Sequence, residues 1–514
     1  MFQSLLSKEI RNHLLTFRFA AALATTMVLV VVSLWVLCDD YIRRRDAYNL
    51  AAETTARQNY EVYVPSQISP TLHRPPSQLS IFAQGEDRRF GNSVRVRRWE
   101  VPCRAEGSFT DNMLMAAQQA LDLNTVFAIV LSLFGILFTY DAVSGEREAG
   151  TLKLQCISGV SRGSIYIAKF AGAVICLALP FLISFTGGLL MLSFFFHLTF
   201  TASQWWAIAA IILAGMLYGA LFVALGLACS SFVRRSSVAL VLALLFWVLS
   251  VLVIPVAAQS SAGVLMPLPS PSEVSNLEKA TERESIDKLS EFEEEHPQYN
   301  WGWQTSNWSL PSAGNYYKYD GSGAWFRDSE AYVRFVEPMM LGRAADIWDL
   351  YNTQDKRRAR QASLIELMSF PSPAFHLRKS LSALAATDYS VYAHFLDAIR
   401  RYRRQMIADF EHRGYFSDRA LQFFCRRDRS ETTDEGFRQR YAYYQQQFDS
   451  GKRYEEFIGL DQWGELPPED ILPFRHENSE PDFVEAIQPM SVLAVMLAIA
   501  VATGFVAFIR YDVR

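Results

Sequence analysis

Between Phe19 and Leu37 the chain carries no charge at all, and that run constrains the fold more than any other feature. It is long enough to cross the ~30 Å hydrocarbon core of a bilayer as a helix. A cleaved signal peptide is the alternative, but no A-x-A-like site follows and the apolar run is too long. Cys38 does not read as a lipoprotein acceptor, because Leu37 precedes it where a small residue is wanted. Similar runs recur at 123–140, 166–196, 205–229, 237–258 and 487–509, giving six spans with the first at 19–38. The third is long enough to tilt, or to break at Pro180 or Gly187-Gly188. Trp205 and Trp206 fit an interfacial aromatic belt. Residues 1–18 place Leu5, Leu6, Ile10, Leu14, Leu15 and Phe17 at helical spacing beside Lys8, Arg11 and Arg18, as in an amphipathic helix lying on the membrane surface.

The mean hydropathy of only +0.06 over 514 residues averages these spans with long hydrophilic stretches. Residues 39–122 alternate at Glu61–Val64 and Ser93–Arg97 among prolines and glycines, which predicts a small strand-containing lobe. Residues 259–486 form a second insertion of domain size that reads mainly helical. There Ser272 is positioned to cap a charged helix through about Glu295. Tyr392, Phe395, Ile399, Tyr402, Met406 and Phe410 recur at spacings of three and four, the pattern of a core-facing stripe. Residues 299–326 gather Trp301, Trp303, Trp308 and Trp325 with several tyrosines. Such a loop can contact a substrate or partner, rest at the membrane interface or form a small core. The fold class is therefore an all-α polytopic membrane protein with six spans, a strand-containing lobe between the first two and a helical domain between the last two.

The positive-inside rule orients it. Lys8, Arg11 and Arg18, Arg147, Lys153, Arg162 and Lys169, Arg234 and Arg235, and Arg510 and Arg514 all fall on one side of a six-span arrangement, which places both termini in the cytoplasm. Arg43, Arg44 and Arg45 break the pattern but open a long loop, where the rule is weak. The net charge of −4 and the lack of a large basic face argue against nucleic acid as a partner. The six cysteines form no metal-spaced pattern, and Cys103 and Cys425 are the only pair placed to form a disulfide.

The segment Tyr140–Lys169, between the second and third apolar runs, holds too many charges for a bilayer core and reads as a polar connector at one membrane surface. Its centre, SGEREAGTLKL, predicts a short amphipathic helix capped by Ser144, with Glu146, Arg147 and Glu148 in the first turn, and a break at Gly159–Arg162. Catalytic patterns are missing: there is no phosphate loop, no HExxH, no GxSxG and no SxxK. His376 and His394, near Asp388 and Asp397, are read as satisfied surface histidines, and no residues are assigned to a metal.

The amphipathic N-terminus, the second span and the sequence TYDAVSGEREAGTLKLQCISGVSRGSIYIAKFAG resemble the ABC-2 type exporter permeases. The residues that carry the resemblance are Asp141, Ser144, Gly145, Glu146, Arg147, Glu148, Gly150, Thr151, Leu152, Arg162 and Lys169. Pro75–Gly85, Ser372-Pro373-Ala374, Ala386-Thr387-Asp388, His394-Phe395 and Tyr402-Arg403 are similar to a bacterial subfamily with an enlarged outer region called DUF3526. The resemblance implies a bacterial inner-membrane permease whose 141–165 segment docks on a cytoplasmic ABC ATPase dimer. It implies a second permease copy or related subunit, surrounding lipid, ATP and Mg2+ held by the ATPase alone, and no enzymatic activity in this chain. The expected function is export or membrane extraction of an unidentified substrate. The alternative is mechanotransmission, in which ATP moves a periplasmic domain against an envelope partner. Some relatives carry labels linking them to copper-enzyme maturation, and the lack of a Cys/His/Met cluster here argues against direct copper handling.

Overall fold

Hydrocarbon leaves backbone groups no partner except those of the same helix, so apolar runs of this length fold as continuous helices. In the computed structural model, the residues described are 2–60, 69–87, 90–106, 122–152, 155, 161–295, 324–412, 446, 450, 474 and 480–510. Among them are six helices long and apolar enough to cross a membrane.

Helix α1 (Phe2–Leu14) ends where Thr16 Oγ1 donates to His13 O at 2.7 Å, and α2 (Phe17–Tyr60) follows at once. Instead of lying on the membrane surface alone, α1 packs along α5 (Arg162–Phe196), with Glu9 buried. The second helix runs for 44 residues, far beyond the expected end of the first span. Asp39–Arg43 and Asp40–Arg44 pair at i,i+4 and no glycine or proline intervenes, so residues 39–60 continue the helix and do not enter the lobe. Arg44 is 11% exposed on its side chain and also bridges to Asp87 at 2.7 Å, which accounts for arginine on the unexpected side.

The lobe contains strands β1 (Thr71–His73) and β2 (Ser93–Arg95), antiparallel with Leu72 opposite Val94. β2 falls on an expected strand, whereas β1 is too short and too close to Pro70 and Pro75 to be legible; the expected strand at 61–64 lies outside the described residues. Helix α3 runs Leu123–Thr125, loosens into a π-helical stretch Val126–Leu131 and resumes as Ser132–Thr139. After it come α4 (Ser144–Glu148), α5, α6 (Ala202–Phe232) and α7 (Ser236–Leu265), the last with a second π-helical stretch at Val248–Val253. α5 stays helical through Pro180 and both glycines.

Beyond α7 lie α8 (Pro271–Glu295), α9 (Ala324–Ser369), α10 (Pro373–Leu384) and α11 (Tyr389–His412), and the chain returns as α12 (Phe483–Ile509). The cap of α8 is Ser270, not Ser272: Ser270 Oγ accepts from Glu273 N at 3.2 Å, while Glu273 accepts from Ser270 N at 2.9 Å. The reciprocal pair is a capping box that Ser272 cannot form.

α6 occupies the centre, packed by α3, α7, α10 and α12, and α2 lies along α5. The main core is continuous from the spans into α10 (Leu377, Leu381, Leu384) and the Leu79–Ala83 stretch of the lobe. Within the region between the last two spans, α10 packs as part of the bundle. The α11 stripe packs Tyr392, Phe395, Ile399, Tyr402 and Met406 against Leu72, Val94 and Val96, while the Phe410 side chain lies outside those described. His376 is buried with Nε2 at 2.8 Å from Phe370 O, and His394 is exposed. Cys103 is a free thiol, pushed up to about 11 by burial; Cys425 lies outside the described residues.

Candidate functional site

The connector is more firmly held than its sequence suggests. Its helix α4 has five residues. Gly150, at φ +72°, turns the chain in a left-handed conformation that interrupts the helix, and Thr151, Leu152 and Gln155 beyond it are helical again. Ser144 is not the cap: Val143 stands at that position, and Ser144 is the first helical residue. Its hydroxyl donates to Tyr140 O at 3.1 Å and lies 3.0 Å from Ser230 Oγ, which also accepts the N–H groups of Val143 and Ser144 at 3.0 Å each. One serine at the end of α6 thus satisfies two N–H groups of a turn buried against the bundle.

Charges tie the rest of the connector to other helices. Arg18, at the start of α2, donates to both oxygens of Asp141 at 3.1 and 2.8 Å and to Tyr140 Oη at 3.0 Å. Glu146 Oε1 accepts from Lys169 Nζ at 2.7 Å and from Gln155 Nε2 at 2.9 Å. The Lys169 side chain is 2% exposed, and its ammonium also reaches Glu9 of α1 at 3.1 Å. Arg147 donates to Ser231 O at 2.9 Å and Val233 O at 3.1 Å, the last carbonyls of α6. Glu148 accepts from the N–H and hydroxyl of Ser236 at 3.0 and 2.8 Å, where a carboxylate suits the N-terminus of α7. Thr151 Oγ1 donates to Glu146 O at 3.3 Å, and Leu152 is buried with Val143, Ile165, Tyr166, Leu227 and Phe508. Gly145 takes part through its N–H, which donates to Asp141 O at 2.8 Å. Arg162 donates to Ile509 O at 2.9 Å, closing the C-terminus of α12.

Glu146 Oε1 is therefore committed within its own chain, while its Oε2 has no partner among the described residues. Reversing its charge would set a cation against Lys169 and damage this end of the bundle directly. Among the described residues of the connector, Glu148, Ala149, Gly150 and Thr151 are exposed at its tip, and Ser161 is exposed further on. The residues that sequence reasoning left unassigned are Glu9, Ser230 and Ser231. Their signal is faint, an acid within an amphipathic helix and a serine pair just before Arg234-Arg235. Trp301, Trp303 and Trp308 lie outside the described residues, and of Trp325 the helical backbone alone is described. Among the described residues no three His, Cys, Asp or Glu side chains gather as metal ligands.

Residues 7–294 match the model of the ABC-2 family transporter proteins, and residues 283–455 match the domain of unknown function DUF3526. The chain is similar to the probable ABC transporter permease protein NosY of Stutzerimonas stutzeri, 34% identical over 131 residues, 26% of this chain and 48% of the relative. It is similarly 32% identical to NosY of Pseudomonas aeruginosa over 135 residues, 26% of this chain and 49% of the relative. It thus matches about half the length of these curated relatives. The six apolar helices, the anchored connector and the family match over more than half its length together place this chain in the ABC-2 family of transporter permeases, with a DUF3526 region joined to it.

Proposed function

We propose that this chain is the membrane subunit of an ATP-driven exporter, with α4 and the turn after it as the surface that receives an ATPase. The observation that carries this reading is the anchoring of one short connector to α1, α2, α5, α6 and α7 through Glu146, Asp141, Arg147 and Glu148. A displacement of its exposed tip reaches all of those helices through contacts of 2.7–3.1 Å. In this reading the termini and connector face the cytoplasm of a bacterial inner membrane and α8–α11 lie on the periplasmic side. ATP and Mg2+ are held and hydrolysed by separate ATPase chains, and a second permease copy or related subunit completes the membrane unit. The work done is export or membrane extraction of a substrate.

Ala149→Arg tests the tip. Ala149 is exposed and meets none of the anchoring contacts, so the variant should accumulate normally in the membrane yet copurify poorly with its ATPase and lose ATP-dependent function. Wild-type copurification and activity would remove the tip as a docking surface.

A second reading, mechanotransmission to a periplasmic partner, draws on the seating of α10 in the bundle core, because tilting α6 or α12 carries α10 and the lobe with it. Transport calls for ATPase activity stimulated by a substrate in liposomes; mechanotransmission calls for stimulation by a protein partner.

A further inference from the structure

α9 runs antiparallel to the far half of α7, and two hydrogen bonds fix its depth. Gln361 Nε2 donates to Met266 O at 2.9 Å, at the end of α7, and Ser372 Oγ donates to Ser250 O at 2.6 Å, inside the π-helical stretch. At ~1.5 Å per residue Ser250 lies about 24 Å below Met266, so the turn between α9 and α10 dips that far along α7. The 30 residues of α7 span about 45 Å, close to the full thickness of a bilayer with its headgroups. Gln361 therefore sits at headgroup level, and Phe370–Ser372 sit among the acyl chains of the same leaflet.

One face of α9 changes character along that depth. Lys356, Arg360, Ser363, Leu367 and Phe370 fall within a narrow stripe at helical spacing, and all five are exposed. The upper part is cationic, with Arg357 exposed beside it. Lys356, Arg357 and Arg360 have no carboxylate partner among the described residues, whereas Arg358 leans on Asp355 at 3.5 Å. The neighbouring acid Glu366 is taken by Lys379. The lower part is apolar: Leu367 is 71% exposed and Phe370 52%. A merely solvated basic face would stay polar along its length. Here cations stand at the headgroups and bare apolar side chains beneath them.

We propose that this face of α9 binds an anionic phospholipid of the leaflet into which the hairpin dips. The lipid phosphate is held by Lys356 and Arg360, with Arg357 beside it, and an acyl chain lies along Leu367 and Phe370. Free phosphate would satisfy the cations but leave the apolar part of the stripe uncovered, which is why the occupant is a lipid. None of these residues belongs to the connector, so the site is independent of ATPase docking.

The test uses the full chain in phosphatidylcholine nanodiscs doped with phosphatidylglycerol, with bound lipid counted by native mass spectrometry. Each basic side chain near an anionic surface is worth roughly fivefold in partitioning. Lys356→Gln/Arg360→Gln should therefore lower phosphatidylglycerol enrichment roughly ten- to thirtyfold, with phosphatidylcholine binding and melting temperature unchanged. Leu367→Gln should weaken retention of the lipid while keeping the preference for its headgroup. Millimolar inorganic phosphate should leave the lipid bound. Undiminished enrichment in the double variant would overturn the proposal, and so would displacement by phosphate. A loss of self-association with lipid preference intact would assign the face to a second copy of the chain instead.

Discussion

At the connector end the spans are tied by charge: Arg18 to Asp141, Lys169 to Glu9 and Glu146, Arg147 and Arg162 to helix-terminal carbonyls. At the opposite end one buried cluster, Arg44 with Asp40 and Asp87 and Arg74 with Asp87, ties α2 to the lobe, while the lobe is joined to the α10–α11 turn by packing and by hydrogen bonds to backbone carbonyls. Ser77 Oγ donates to Ala385 O at 2.7 Å, Thr387 Oγ1 to Ala83 O at 3.1 Å, and the N–H of Glu86 to Thr387 O at 3.0 Å. Phe82 meets Phe185 and Phe200 at ring-centroid distances of 5.7 and 5.9 Å. Long charged side chains keep contact while their helices shift slightly, whereas a close-packed interface transmits strain and moves as a block. In the function proposed above, movement received at the connector end is delivered at the other.

The contrast can be broken most directly at Lys169. Lys169→Met leaves the buried Glu9 and the half-buried Glu146 without their cation, a loss of about 3–5 kcal/mol that should appear as a large fall in melting temperature in detergent. Adding Glu9→Gln and Glu146→Gln should restore most of it. If the triple variant stays as unstable as the single one, charge is not what holds this end.

At the other end, Gly85 at φ +51° lies so close to α10 that an added Cβ would stand 2.4 Å from Thr387 Oγ1 and 2.8 Å from Thr387 O. Gly85→Ala should cost about 2–4 kcal/mol through backbone strain and overpacking. Because no charge is involved, the deficit should be equal at low and high salt. A salt-dependent deficit would mean that charge, not packing, holds the lobe to the α10–α11 turn.

The smallest effect is expected at His73, which burial holds below its ordinary value of 6.5 beside Thr55 Oγ1 at 3.2 Å. Below about pH 6.5 the unfolded chain takes up a proton that the folded lobe resists. Stability from this group is thus present above that pH and is lost as pH falls. His73→Gln should flatten the slope seen by hydrogen exchange of β1, and an unchanged slope would place the titration elsewhere.

Much of the connector's chemistry was legible, but not its partners. Glu146, Arg147 and Glu148 announce a polar turn, yet their partners are Lys169, Ser231 and Ser236, at positions no local spacing connects. The stretches Pro75–Gly85 and Ala386–Asp388 shared only a family likeness in sequence; in space they close on each other through Thr387, Ala83 and Glu86. α10 was the hardest to read, because PAFHLRKSLSAL has the composition of a soluble amphipathic helix and its seat in the bundle depends on what α6 and α12 offer.

What the sequence by itself determined is the set of spans. A bilayer core accepts only uncharged runs of sufficient length, and that condition is local, written residue by residue. The chain's own alternation of acids and bases likewise determined the helical continuation of α2 past Leu37, although reading it required attention to i,i+4 pairs. The tertiary structure alone decided that α1 sits on α5, that Lys169 lies between two carboxylates, and that the α9–α10 hairpin descends beside α7. Those outcomes depend on which surfaces meet, and burial of a charge or a carbonyl is stable only once its partner from a distant helix has arrived.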